Sequence, residues 1–163
     1  MAETVAAERT RSPSGVSPPR TKMLVVITPH NPTGTVLTKE TLQALADIAI
    51  RHNLLVVSDE IYEKLIYDGT QHYSIAGFPG MWERTLTLNG FSKTYSMTGL
   101  RIGYAAGPVN LIEAMTRIKA VTTGPAATVS QHAALAALNG PDEPLREFQR
   151  IYAERRRVMM EGL

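Results

Sequence analysis

Two apolar runs with a helical segment between them limit what this chain can fold into more than any other feature. Met23 to Thr28 reads Met-Leu-Val-Val-Ile-Thr, a continuous apolar run of the kind expected for a strand buried on both faces. Thr38 is a suitable N-cap with Glu40 in the first turn, and Leu42, Leu45, Ala46 and Ala49 make one helical face that stops near Asn53. Leu54 to Ser58 then gives a second buried strand. Strand, helix and strand in that order imply a parallel pair joined by a right-handed crossover. In such sheets the loops at the carboxyl ends of the strands form the ligand crevice.

Two polar segments follow those strand ends. Pro29-His30-Asn31-Pro32-Thr33-Gly34 is a rigid turn, with Asn31-Pro32 a candidate cis peptide, and taken alone it is equally well a plain loop. Ser58-Asp59-Glu60-Ile61-Tyr62 puts an acid at the strand exit and a phenol three residues on. If a helical turn starts here, Asp59 and Tyr62 share a face. The structural alternative has Asp59 capping that turn and Tyr62 packing in the wall. Lys64 to Tyr73 is an irregular excursion with a turn at Asp68-Gly69.

Thr85 to Asn89 alternates as a strand does, a Gly breaks it, and Lys93 follows in a turn rich in hydroxyls and Gly. The next strand-like run, Arg101 to Ala106, begins only about ten residues later, fewer than a parallel crossover needs, so the two strands are expected to be antiparallel neighbours. Lys93 and Arg101 then sit on one rim. A lysine held there suits covalent chemistry with a carbonyl, and an arginine beside it makes a fork for phosphate. Two solvated loop cations are the plainer alternative.

Beyond Ala106 the pattern predicts a helix over 108–121 with Leu111, Met115 and Ile118 inward, then an Ala-rich helix over 125–138 stopped by Asn139-Gly140. Pro144 fits the first turn of a last helix, whose Arg155-Arg156-Arg157 run reads as a solvated face or as a phosphate contact. Val158, Met159 and Leu163 leave that helix with an apolar stripe. Residues 1–18 lack periodicity and are expected to be a disordered tail, with no apolar core of a secretory signal. Without a Cys, thiolate metal sites and cysteine nucleophiles are excluded, and His30, His52, His72 and His132 show no ligand spacing, so no metal is expected. The net charge is only +2 and the Lys and Arg are scattered except at the C-terminal end, which points to no nucleic-acid partner, and no apolar run approaches a membrane span of about 18 residues. No dinucleotide or Walker glycine motif occurs.

Asn-Pro-Thr-Gly, Ser-Asp-Glu-Ile-Tyr, Ser-Lys and Arg-Ile-Gly-Tyr in this order, with eight positions from Lys93 to Arg101, resemble the class I/II aminotransferases of the fold-type I pyridoxal-phosphate enzymes. The resemblance runs from about Pro19 to the end. It implies an α/β fold, a three-layer, mostly parallel sheet with helices on both faces and one antiparallel strand. Residues 19–140 would be part of the cofactor-binding large domain, and 141–163 a helix leading towards a small domain. It also implies pyridoxal 5'-phosphate as cofactor, with Lys93 holding it covalently and shuttling a proton. Asp59 would pair with the ring nitrogen, Tyr62 and Asn31 would bond the ring's 3-oxygen, and Arg101 would clamp the phosphate with Ser92 beside it. Amino acid and 2-oxo acid substrates and a homodimer follow from the same resemblance, and a cytoplasmic location is the default expectation for a chain without Cys. Many relatives carry a Ser three residues before the lysine as a phosphate ligand, and this chain has Gly90 there, which implies weaker phosphate binding. The chain also lacks the family's upstream phosphate loop and its small-domain arginine, so the expected piece is a truncated one. A lyase or synthase on the same cofactor, and a non-catalytic remnant, remain as alternatives.

Overall fold

The computed structural model describes residues 20–163, and the tail expected over 1–18 lies outside the described residues. Four strands, β1 (Met23–Ile27), β2 (Leu55–Asp59), β3 (Thr85–Gly90) and β4 (Gly103–Ala106), lie side by side in chain order. β1, β2 and β3 are parallel, and β4 closes antiparallel on β3 with Gly90 opposite Gly103. This is the mostly parallel α/β sheet with one antiparallel strand that the element spacing predicts, with helices around it.

The crossover helix α1 (Lys39–Arg51) starts where the capping pattern puts it, the Thr38 hydroxyl accepting the Thr41 N–H at 3.2 Å. Its face of Leu42, Ala46 and Ala49 is buried against Val26, Leu54 and Val56, and Ile75 and Met81 from the long return to β3 close that core. The other sheet face departs from expectation. A continuous apolar run predicts burial on both sides, yet β1 and β2 are covered on one side only. Met23, Val25, Ile27 and Leu55 alternate onto a face that no described element covers, and Val25 is 59% exposed.

α2 (Val109–Thr122) buries none of its residues. Met115 and Ile118 stand exposed rather than inward because nothing described lies over that stripe. α3 (Thr128–Asn139) begins three residues later than its alanines suggest and docks through Ala134 and Ser130, whose hydroxyl donates to the Leu100 carbonyl at 2.7 Å. α4 (Glu143–Glu161) carries Pro144 in its first turn, and Val158, Met159 and Leu163 are exposed as the pattern implies. It reaches back to the excursion after β2: Gln149 Nε2 donates to the Lys64 carbonyl at 2.6 Å and Arg156 pairs with Asp68 at 2.9 Å. Among the described residues no helix is long and apolar enough to cross a membrane.

Candidate functional site

Three parallel strands and one antiparallel partner bring the carboxyl ends of β1, β2 and β3 and the start of β4 to a single rim. Asp59 ends β2 at the centre of that rim, in register with Ile27 on one side and Leu88 on the other. The turn after β1 is tightly closed, with Gly34 N–H donating to the His30 carbonyl at 2.7 Å and His30 N–H to Thr35 at 2.8 Å. Both prolyl bonds of this turn, Thr28-Pro29 and Asn31-Pro32, are cis, the second as the sequence suggests.

That turn meets the one after β2. Asn31 Nδ2 donates to the Tyr62 hydroxyl at 3.3 Å across 31 positions of sequence. The Lys93 ammonium stands 5.8 Å from the centre of the same Tyr62 ring, within the range of a cation–π contact. Lys93 is held by the connection from β3 to β4, where Phe91 is buried and packs on Tyr95 and Tyr104 with ring centres 5.4 and 5.9 Å apart. The Phe91 carbonyl accepts the N–H groups of Tyr95 and Met97, which curls the backbone around Lys93.

Two adjoining cavities share Tyr62, Leu65 and Tyr67 as a wall. One, about 530 Å³, is lined by Ser92, Lys93 and Thr98, and the other, about 380 Å³, by Asn31, Pro32 and Arg156. Asn31, Tyr62, Ser92 and Lys93 therefore converge. Asp59 and Arg101 lie on the same rim without lining either cavity. Asp59 Oδ1 accepts the Ile61 N–H at 3.2 Å, the cap of the following turn that the structural alternative foresees. Arg101 sits in the left-handed region at φ 48°, which ends the preceding helical turn and delays β4 to Gly103, and its Nη1 donates to the Thr98 carbonyl at 2.9 Å.

Gly90 answers a packing demand. A Cβ there would meet Ile61 Cδ1 at 3.0 Å, Gly103 Cα at 3.1 Å and the Ile102 carbonyl oxygen at 3.2 Å. A serine at this position would require those neighbours to give by a few tenths of an ångström.

The sequence did not single out Tyr67 or Arg156 as wall residues. Tyr67 lies in a segment without periodicity, and Arg156 was legible only as one cation of three. Arg156 stacks on the Tyr67 ring at 5.8 Å, and burial pushes the Tyr67 phenol above its ordinary value while the Arg156 charge partly opposes that. Also unforeseen is a buried network under the rim. The Glu60 carboxylate, 2% exposed, accepts hydrogen bonds from Ser58, Ser74 and His72.

A lysine, a phenol and an amide gathered at the carboxyl rim of a mixed sheet define an α/β protein with a lysine-bearing ligand crevice. The family model for aminotransferase class I and II matches residues 3–163, from ahead of Pro19, and the chain belongs to that family. It is 44% identical over 146 residues to aspartate aminotransferase of Geobacillus stearothermophilus, covering 89% of this chain and 37% of that protein. Identity is also 44%, over 147 residues, to aromatic-amino-acid aminotransferase 2 of Thermococcus litoralis, covering 89% and 38%. Among solved structures, the aspartate aminotransferase from Rhizobium meliloti superposes with a TM-score of 0.87 at 36% identity, over 100% of this chain and 39% of that one. The chain thus spans under two-fifths of the length of these relatives.

Proposed function

We propose that the protein is a pyridoxal-phosphate-dependent aminotransferase that moves an amino group from an amino acid to a 2-oxo acid. The observation that carries this is the convergence of the Lys93 amine, the Tyr62 hydroxyl and the Asn31 amide on two adjoining cavities, in a chain of the aminotransferase family. These groups fit a phosphorylated pyridine aldehyde: an amine for the aldehyde, donors for a ring oxygen and a hydroxyl at Ser92 for a phosphate.

When bound, pyridoxal phosphate supplies an electron sink for negative charge at the substrate α-carbon. Lys93 would bond the aldehyde carbon and, once freed by the incoming amine, take the proton from the substrate α-carbon and hand it to the carbon that had carried the aldehyde. Asp59 would keep the ring nitrogen protonated through its carboxylate. Tyr62 and Asn31, already bonded to each other, would both face the ring's 3-oxygen. Arg101 would meet the phosphate with the N–H groups not engaged by Thr98, and Ser92 would add a second contact. The same proposal extends to a homodimer whose subunits complete each other's sites and to a cytoplasmic role in amino-acid biosynthesis.

An absorbance scan of the chain with added pyridoxal phosphate tests this directly. The bound-cofactor band is expected in the parent and absent in Lys93→Ala, and a parent without the band overturns the proposal. Product analysis separates transfer from elimination, since a lyase releases ammonia without passing the amino group to a 2-oxo acid.

A further inference from the structure

We infer that Glu60, which lines neither cavity, is a positioning residue for Asp59 and Tyr62, a role that rests on the cofactor site proposed above. Ser58 Oγ and Ser74 Oγ donate to Glu60 Oε1 at 2.9 and 2.7 Å, and His72 Nε2 meets Oε2 at 2.9 Å. A carboxylate out of water persists only when donors surround it, and these three come from both sides: one from β2 itself, two from a segment twelve and fourteen positions on. Glu60, Glu63 and His72 also bring one metal-ligand atom each within 4.8 Å of one another. Three donors already occupy the Glu60 oxygens, so this is an anchor rather than an open ligand set.

The anchor acts on the rim through the backbone. Glu60 N–H donates to the Leu88 carbonyl at 2.9 Å, which extends the β2–β3 ladder one residue beyond Asp59. Alternation along the strand turns Asp59 to one face and Glu60 to the other. The Glu60 carbonyl accepts the Glu63 N–H and the Tyr62 carbonyl the Leu65 N–H, which closes the turn that carries Tyr62. Holding the Glu60 carboxylate below the sheet thus fixes the direction in which Asp59 leaves β2 and the height at which Tyr62 meets Asn31 and Lys93. Ile61, inside the same turn, is the side chain nearest to Gly90, so the turn is also fitted to the start of the Lys93 connection.

The test compares Glu60→Leu, Glu60→Gln and Ser74→Ala in the full chain, reading pyridoxal-phosphate affinity, the position of the bound absorbance maximum and thermal stability. Glu60→Leu is expected to weaken binding about tenfold or more and to shift the maximum, because the donors around the ring lose their aim. Glu60→Gln keeps an acceptor for both serines and, with His72 in its other tautomer, a partner for that ring, so it should stay within about threefold of the parent. A Glu60→Leu protein that is less stable but binds with the parent's affinity and spectrum overturns the inference and leaves the function standing. If Glu60→Leu does not fold, Ser74→Ala decides: a shifted spectrum with affinity down about threefold supports the role, and an unchanged spectrum and affinity overturn it. A parent that shows no bound band removes both the cofactor site and the role assigned to Glu60.

Discussion

Replacing Gly90 by serine tests whether the rim is shaped by packing or by phosphate chemistry. Ordinary contacts begin near 3.4 Å, so a Cβ with neighbours at 3.0, 3.1 and 3.2 Å falls short at all three. Two of those neighbours are backbone atoms, Gly103 Cα at the start of β4 and the Ile102 carbonyl oxygen just before it, which cannot rotate away, and only Ile61 Cδ1 belongs to a side chain that can yield. Overpacking of this kind costs about 2 kcal/mol. In a domain of this size that lowers the melting temperature by roughly 4–8 °C. Urea unfolding followed by circular dichroism measures the loss, and an unchanged slope would confine it to the folded state. Ile61→Val in the same chain removes one of the three contacts, so it should recover less than half of the cost in a double-mutant cycle. A Gly90→Ser protein within about 0.5 kcal/mol of the parent would refute the steric account. Full recovery in the double variant would refute the part that assigns the cost to the backbone of β4. The account further expects no tighter cofactor binding from the new hydroxyl, because the strand must move to admit it.

Thr38→Ala should destabilise the chain by about 1 kcal/mol in urea unfolding, since the hydroxyl caps the Thr41 N–H. Glu40 in the same turn has its carboxyl held below the ordinary value, first by its backbone hydrogen bond at the helix start and then by the Thr38 hydroxyl. Its stabilisation is therefore present above the unfolded carboxylate value and lost as pH falls through the folded one, a loss that Glu40→Gln should remove from the acid side of a stability–pH curve. Tyr104 has its phenol raised, first by burial and then by Glu63, Tyr95 and Glu60. The sign is opposite: stability is intact below the unfolded value of about 10 and falls as pH rises through the folded value. Tyr104→Phe should flatten that alkaline fall in melting curves.

Much of the fold was legible because its signals are local and periodic. Leu42, Ala46 and Ala49 recur at helical spacing, and Thr38 caps the helix they build. The short connection from Asn89 to Arg101 forbids a parallel crossover, and β4 is antiparallel. What periodicity cannot report is whether a second layer is present. The residues of β1 are apolar throughout, yet Met23, Val25 and Ile27 face outward, and Met115 and Ile118 do the same on α2. An apolar side chain signals a preference for cover, and the cover has to come from another element. The boundary at Gly103 was missed for a different reason, since Arg101 takes a left-handed conformation that its residue type does not advertise.

The rim was legible residue by residue, and its support was not, because topology delivers strand ends to one place whereas the supporting bonds join segments without pattern. Asn31 and Tyr62 follow from the parallel order of β1 and β2, which compels their turns to meet. Glu60, His72 and Ser74 depend on how an irregular excursion folds back under β2, and a buried acid is the last thing a hydropathy pattern suggests. The two sides of the rim consequently differ in how firmly they are set. Tyr62 is hydrogen-bonded to a neighbouring turn, faces the Lys93 amine and stands two residues from a buried carboxylate with three donors. Arg101 is exposed and tied by one hydrogen bond to a carbonyl three positions back. On the proposed function, a phosphate arriving there would compete with a single charge-assisted bond worth about 1.5–3 kcal/mol at most, and with less in an exposed setting. If the proposed cofactor binds, groups that would hold its ring at a fixed height gain from being placed beforehand, whereas a guanidinium that would meet a flexible, doubly charged ester loses little by turning to it on arrival.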